Sequence, residues 1–358
     1  MAAVKSIEGL SLMFTAGVAA GALLSPFLPE GLHAALLPIL SLPYFFQGRL
    51  RRLPGRTAAA ILPGVFLLLG LFCATIPFPP SVPGALQRLA QDGAEGLRGL
   101  IGRIPFAYEG TAPLLTALLA GDRSCLSQDC VRVFRDSGAS HILALSGLHM
   151  GILYLILDAL LSPIGRSVPA QRIRAVLVVG TAAWFTLMTG AGPSIVRAFL
   201  FITIREICRV CGRPQRPMHV LCLALLVQLV LDPGVIRSIG FQLSYLAMAG
   251  IFILYPVLER WYPAGNSWNP LRRIWQAAAL SISCQVFTGP LAWRRFGTFP
   301  RHFLLTNLLA IPLVTGLIWS AVVTLVLSAL DCCPAVLIKT TDGLSRLLIW
   351  VLEIISSL

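Results

Sequence analysis

Side chains that could do chemistry concentrate in residues 116–157. A charged, soluble-looking loop leads there directly into an apolar segment that carries His141, Ser146, Gly147 and His149. Polar groups at membrane depth are costly, so their presence marks a functional site by default. We predict that these four residues, with Arg135 of the loop, line a path or binding site. Alternatively, the two histidines lie at the membrane interface or form hydrogen bonds between helices.

Arg197 interrupts another apolar run, directly after the Gly- and Pro-containing residues 190–193. A helix that begins there presents unpaired backbone N–H groups beside the guanidinium, and both attract an anion such as phosphate. Arg205 and Arg209 fall on roughly the same side of that helix, but they are equally compatible with anchoring in the cytoplasm. Three uncharged polar side chains at membrane depth could line the same path or join helices: Gln242, Ser244 and Asn307.

Two of the nine cysteines, Cys125 and Cys130, lie in the polar loop. In an oxidising compartment they could form a disulfide, with two free thiols as the plain alternative. Cys208 and Cys211 form a lone CxxC motif without a second pair, which is weak support for a metal site. We therefore predict no metal and no cofactor.

The elements that position these residues are transmembrane helices. Of the 358 residues, 56% are hydrophobic and only 12% are charged, which excludes an ordinary soluble enzyme. Runs without Asp, Glu, Lys or Arg are long enough to cross a membrane, which needs about 20 helical residues. They are residues 9–29, 57–87, 137–157, 175–196, 238–258, 274–293 and 302–330. We predict an all-α, polytopic membrane protein with about nine to eleven transmembrane helices.

Gly and Pro interruptions predict broken or re-entrant helices at residues 190–193, 289–290 and 311–312. The loop of residues 49–56 contains four arginines and no acid, which places it in the cytoplasm and residues 77–110 outside. We predict three regions: amino-terminal helices over 1–76, a short external amphipathic segment over 77–110, and a transmembrane core over 111–358. Much of the net charge of +13 follows from such topology-setting loops.

Four stretches resemble the ComEC competence family, the inner-membrane channels for DNA uptake. FRDSGASHILALSGLHMGIL (residues 134–153) is similar to the family signature, which reads roughly FRxSGxxHLLAISGLHVG. GPSIVRAFLF (192–201) and LVLDPGVIRSIGFQLSYLAMAGI (229–251) resemble its central helices. GPLAWRRFGTFPRHFLLTNLLAIPLV (289–314) resembles its late segment. The matches occur in the family's order and extend over more than half of the chain.

The resemblance implies a channel that takes up single-stranded DNA across the cytoplasmic membrane during natural transformation. It implies the competence core without the external OB-like domain and the metallo-beta-lactamase-like domain that many members carry. The expected partners are the lipid bilayer, an external DNA receptor, a cytoplasmic helicase or single-strand-binding proteins, and a separate nuclease. The chain has no GxxxxGK[ST] loop, so we do not expect it to be an ATP-driven motor.

Two other classes remain open. The broken helices could form the site of a small-molecule or lipid transporter. Ser146 and His149 lie three residues apart, which faintly resembles the nucleophile element of an intramembrane hydrolase, but such a histidine normally comes from another helix. We therefore predict a protein that is not an enzyme.

Overall fold

The computed structural model describes residues 7–24, 55–75, 83–165, 167–262, 269–297 and 300–358. All regular secondary structure in these residues is helical, which confirms the predicted all-α class. Residues 49–54 of the predicted cytoplasmic loop, and residues 77–82 of the predicted external segment, lie outside the described residues.

The chain divides into two compact units, Met1–Val82 with Leu200–Gln242 and Pro83–Phe199 with Leu243–Leu358. The first unit contains α1 (Ile7–Leu24), α2 (Gly55–Thr75), α10 (Pro217–Leu231) and a 3-10 turn at Pro233–Arg237. Two helices contribute residues to both units: α9 (Pro193–Val210) and α11 (Ile239–Ile253). The predicted boundaries at residues 76 and 110 stay a prediction.

The second unit contains the remaining helices. The first of them are α3 (Gly84–Arg103), α4 (Thr111–Ala120), α5 (Gln128–Asp136), α6 (Ser140–Leu143), α7 (Gly147–Leu161) and α8 (Val168–Met188). They are followed by α12 (Tyr255–Glu259), α13 (Pro270–Phe296), α14 (Phe303–Ala329) and α15 (Ala335–Ser356).

In the first unit, α1 and α2 pack at a close approach of small residues. A Cβ atom at Gly17 would collide with the backbone of Leu67, and one at Gly70 would collide with the backbone of Phe14. Small residues let two helix backbones meet, which is how helices associate where apolar burial supplies little driving force. The His219 Nε2 of α10 lies 2.8 Å from the Glu8 Oε1 of α1.

In the second unit, the core lies between α4, α5, α14 and α15. The short helix α5 is amphipathic: its polar side chains face outward, and Phe134 on the opposite face is fully buried. It packs in one hydrophobic cluster with buried residues of the other three helices, among them Leu114, Leu118, Leu317, Ala321, Leu348 and Leu352. This cluster holds the charged loop against the apolar helices.

Three helical segments of the described chain are long and apolar enough to cross a membrane: Gly147–Ile164, Ile239–Glu259 and Phe303–Ala329. Together with the composition, they identify a membrane protein. The number of about nine to eleven crossings stays a prediction.

One of the predicted helix breaks is confirmed and two are wrong. The chain turns between α8 and α9, where Gly190 and Ala191 both adopt positive φ angles of 79° and 51°. However, α13 continues through Pro290, and α14 continues through Pro312. Proline removes one backbone hydrogen bond and bends a helix, but in apolar helices that pack on neighbours it need not end the helix.

The predicted amphipathic helix near residues 77–110 corresponds to α3. It buries Ala90, Ala94 and Ile101 and exposes Leu89, so one face packs on protein and the other does not. A Cβ atom at Gly93 would lie 2.7 Å from the Trp184 ring of α8. The helix is therefore a packed part of the second unit, and its position on the external membrane surface stays a prediction.

Candidate anion site at the start of a membrane helix

The apolar segment after residue 137 is not one helix, contrary to the prediction. His141 lies on the single-turn α6, the chain is extended at Ala144, and α7 begins only after Ser146. The break has a local cause. Ser146 is the N-cap residue of α7, and its Oγ accepts a hydrogen bond from the backbone N–H of Leu148 at 3.3 Å.

His149 completes this cap. Its Nδ1 accepts a hydrogen bond from the backbone N–H of Ser146 at 3.3 Å and lies 3.4 Å from the Ser146 Oγ. An imidazole that accepts at Nδ1 carries its proton on Nε2 when it is neutral. His149 is only 3% exposed, and its Nε2 has no hydrogen-bond partner in the part of the chain that the structure describes. A buried donor therefore stands unused beside the start of α7.

Arg197 is the central cation of the site. It lies one turn into α9, and it is 7% exposed. Its Nη1 donates to the backbone carbonyl of Ser244 on α11 at 3.2 Å, and its Nε has no hydrogen-bond partner. Within the described ranges, no Asp or Glu forms an ion pair with it. A buried guanidinium normally has a counter-ion, because leaving it unpaired is expensive.

Arg197 and the first residue of α7 are in direct proximity. A Cβ atom at Gly147 would lie 2.7 Å from the Arg197 Nη2, so only glycine leaves room for the guanidinium at this place. The N-terminus of a helix carries a partial positive charge and unpaired N–H groups. The guanidinium thus lies beside the positive end of α7, and an anion in contact with both would stabilise them.

The structure brings together Ser146, Gly147, His149 and Arg197, and it adds Ser244 through its backbone carbonyl rather than its hydroxyl. The sequence did not indicate the contact of Gly147 with Arg197, because it joins helices 50 positions apart along the chain.

The other predicted site residues are placed elsewhere. Arg135 is exposed on α5 and forms an ion pair with Asp136 at 3.4 Å. His141 is exposed, with its Nδ1 3.1 Å from the carbonyl of Gly138. Asn307 lies on α14 with its Oδ1 buried and unpartnered. Gln242 belongs to the first unit, where its Nε2 donates to the carbonyl of Ile236 at 2.7 Å.

The disulfide between Cys125 and Cys130 is absent from the structure, in which both thiols are free. The reason is local. Ser127 caps α5 by accepting from the Cys130 backbone N–H at 3.2 Å, and Cys130 then packs against the core while Cys125 stays exposed. In the described ranges, no three His, Cys, Asp or Glu side chains cluster as metal ligands would. The absence of a metal from the whole chain stays a prediction.

Comparisons with known proteins agree with these motifs. A family model described as competence protein matches residues 118–358, which is more than half of the chain. The chain is 26% identical over 208 residues to the uncharacterized protein YcaI of Escherichia coli, a match that covers 56% of this chain and 27% of that protein.

Two further relatives carry competence names. ComE operon protein 3 of Bacillus subtilis is 24% identical over 202 residues, covering 56% of this chain and 24% of that protein. Competence protein ComA of Neisseria gonorrhoeae is 27% identical over 204 residues, covering 56% of this chain and 28% of that protein. This chain thus matches about a quarter of the length of these relatives. No solved structure matches it. The chain belongs to the competence protein family.

Proposed function

We propose that this chain forms a path for single-stranded DNA across the cytoplasmic membrane, in the DNA uptake of natural transformation. One observation carries the proposal: Arg197 is buried without an acidic partner and lies against the N-terminus of α7. We also propose that the chain is a multi-pass protein of the cytoplasmic membrane and that it transports DNA without acting as an enzyme.

The chemistry of the strand fits the chemistry of the site. Single-stranded DNA carries one negative charge per nucleotide, and a membrane path must replace its counter-ions and hydration with protein donors. Arg197 offers Nε and Nη2, His149 offers Nε2, and the start of α7 offers backbone N–H groups. A phosphodiester passing this point would accept hydrogen bonds from several of them at once.

The family and the names of its relatives support the same process. The relatives include ComE operon protein 3 and a protein whose name, Competence protein ComA, refers to competence. As partners we propose an external DNA receptor, a cytoplasmic helicase or single-strand-binding proteins, and a separate nuclease.

A transporter of a small anion or lipid is the second candidate, because the same guanidinium would bind any accessible phosphate or carboxylate. Length is what distinguishes the two substrates: a path for DNA must pass a long strand, whereas a small-molecule site closes around one ligand. An intramembrane hydrolase is less well supported. Although the Ser146 Oγ and His149 Nδ1 are 3.4 Å apart, both atoms cap α7, and no third side chain among the described residues orients His149.

Uptake of fluorescently labelled DNA into the cytoplasm, measured with the membrane abundance of each variant, tests the proposal. We expect Arg197→Gln to abolish uptake at normal abundance, and Arg197→Lys to retain part of it, because a point charge still attracts phosphate. Arg205→Gln on the same helix is the matched control, since Arg205 is bonded to Gln215 at 3.2 Å and should leave uptake near normal. Normal uptake in Arg197→Glu would contradict the proposal.

A further inference from the structure

A second feature outside the Arg197 site is an open groove of about 450 Å³ in the second unit. It lies between the loop that joins α3 to α4 and the carboxyl-terminal half of α15. Its lining combines aromatic, cationic and apolar side chains, namely Tyr108, Arg346, Leu347, Ile349, Trp350 and Glu353. The volume lies in the range of small-molecule binding sites.

Tyr108 is held in place at one side of the groove. Its backbone N–H donates to both carboxylate oxygens of the buried Asp342, at 3.2 and 3.1 Å. Thr111 donates its hydroxyl to the same carboxylate at 2.6 Å and contacts the Ser345 hydroxyl at 2.6 Å. Three hydrogen bonds from the α3–α4 loop and α4 to one buried acid fix the backbone of this loop on α15.

Arg346 lies over the Tyr108 ring, with its guanidinium carbon 5.5 Å from the ring centroid. It forms no ion pair with any residue in the described segments, so its charge is not neutralised by a carboxylate. A guanidinium stacked on an aromatic face keeps its edge N–H groups available to a phosphate.

Trp350 follows Arg346 by four residues, which places both on one face of α15. It is 58% exposed, a large share for an aromatic side chain. Lys339 precedes Arg346 by seven residues and is exposed on the same side of the helix. The groove lining thus presents one cation, Arg346, two aromatic rings and one acid, Glu353, and Lys339 lies beyond the groove on the same side of the helix.

We infer that this groove binds nucleotides of single-stranded DNA, with a base stacked on the exposed Trp350 and a phosphate paired with Arg346, which Tyr108 supports from below. The inference rests on the proposed function, and it names a second contact of the same strand. Aromatic rings interleaved with cations are how proteins hold single strands without reading their sequence, because every base has a face that stacks. The Arg346 guanidinium, which forms no ion pair in the described segments, is the group of the lining that favours a phosphate.

Titration of a fluorescently labelled thymidine 30-mer with the full chain in phosphatidylcholine nanodiscs tests the groove. We expect Trp350→Leu and Arg346→Gln each to weaken binding about tenfold. Trp293→Leu is the matched control, because Trp293 is a 67% exposed tryptophan of α13 that does not line the groove, and its Kd should equal that of the wild type. Glu353→Gln should tighten binding, since it removes the one negative charge, and a misfolded variant would not gain affinity.

Equal Kd values for wild type, Trp350→Leu and Arg346→Gln would overturn the groove and leave the transport proposal to the uptake assay. Conversely, weakened binding in these variants together with normal uptake in Arg197→Glu would keep the groove and overturn transport through the Arg197 site. A second set of nanodiscs contains phosphatidylglycerol. If the variants weaken the binding of this lipid but leave the binding of the thymidine 30-mer unchanged, the groove holds a lipid headgroup and the inference is wrong.

Discussion

The Arg197 guanidinium occupies the space that a side chain at position 147 would need, with the Nη2 only 2.7 Å from where a Cβ atom of Gly147 would be. Because Nη2 is the far end of a flexible side chain, Gly147→Ala should move the guanidinium without unfolding the protein. We expect uptake of labelled DNA to fall about tenfold, as for the loss of one charged hydrogen bond to phosphate.

Gly151→Ala is the control for this change. Gly151 lies one turn later on α7, and a Cβ atom there would meet nothing within 4 Å. It should leave uptake unchanged. An equal loss in both variants would mean that helix packing, rather than the position of Arg197, sets the rate of uptake.

Ser146 serves as a helix cap, and this role predicts a pattern that a nucleophile would not show. Ser146→Ala should lower the free energy of unfolding by about 1 kcal/mol, measured by thermal unfolding in detergent. Ser146→Asn should retain stability and uptake, because asparagine also caps helices and adds no charge beside Arg197. Loss of function in the stable Ser146→Asn variant would instead favour the hydrolase.

The two thiols of the polar loop should react at different rates. Burial, and secondarily the charge of Glu353, raise the pKa of the Cys130 thiol above its ordinary value, so less of it is thiolate near pH 8. Cys125 is exposed. We expect iodoacetamide to alkylate Cys125 quickly and Cys130 slowly. Mass spectrometry at successive times measures the two rates.

The Glu353→Gln variant separates the two causes. Removing a negative charge lowers the pKa of Cys130, and its alkylation near pH 8 should become faster while that of Cys125 does not change. A disulfide recovered under non-reducing conditions would contradict the free thiols of the structure.

Asp342 should be a strong determinant of stability in the second unit. Asp342→Ala leaves the Thr111 hydroxyl and the Tyr108 N–H without their acceptor, which costs about 1–3 kcal/mol for each buried group left unsatisfied. Asp136→Ala, at an exposed ion pair with Arg135, should change the melting temperature little. Equal melting temperatures of the two variants would show that the Asp342 hydrogen bonds do not stabilise the fold.

The helical class could be predicted from the sequence, because charge-free runs are a local signal. A lone arginine within one such run is likewise a local signal, and it made Arg197 a candidate whose role stays a prediction. The sequence did not reveal the break before Gly147. Residues 142–148 are apolar on both sides of Ser146, and the usual cap pattern ends in Glu or Gln, whereas here His149 takes that place. Pro290 and Pro312 predicted helix breaks that the structure does not contain, because both helices continue through the proline.

The tertiary contacts could not be predicted from local patterns. The contact between Gly147 and Arg197, and the anchoring of the Tyr108 loop by Asp342, join residues far apart along the chain. An acid within the largely apolar carboxyl-terminal segment was the available signal for Asp342, because a buried carboxylate requires partners.

Crosslinking of a strand in transit tests the central claim most directly. Ser244→Cys, in an otherwise cysteine-free chain, places a thiol on the residue whose carbonyl accepts from Arg197. Cells would take up DNA that carries a thiol-reactive group on its phosphates. We predict a covalent adduct at position 244. Leu155 lies on the exposed outer side of α7, so we predict no adduct for the control variant Leu155→Cys. Normal uptake with no adduct at position 244 would show that the strand does not pass Arg197.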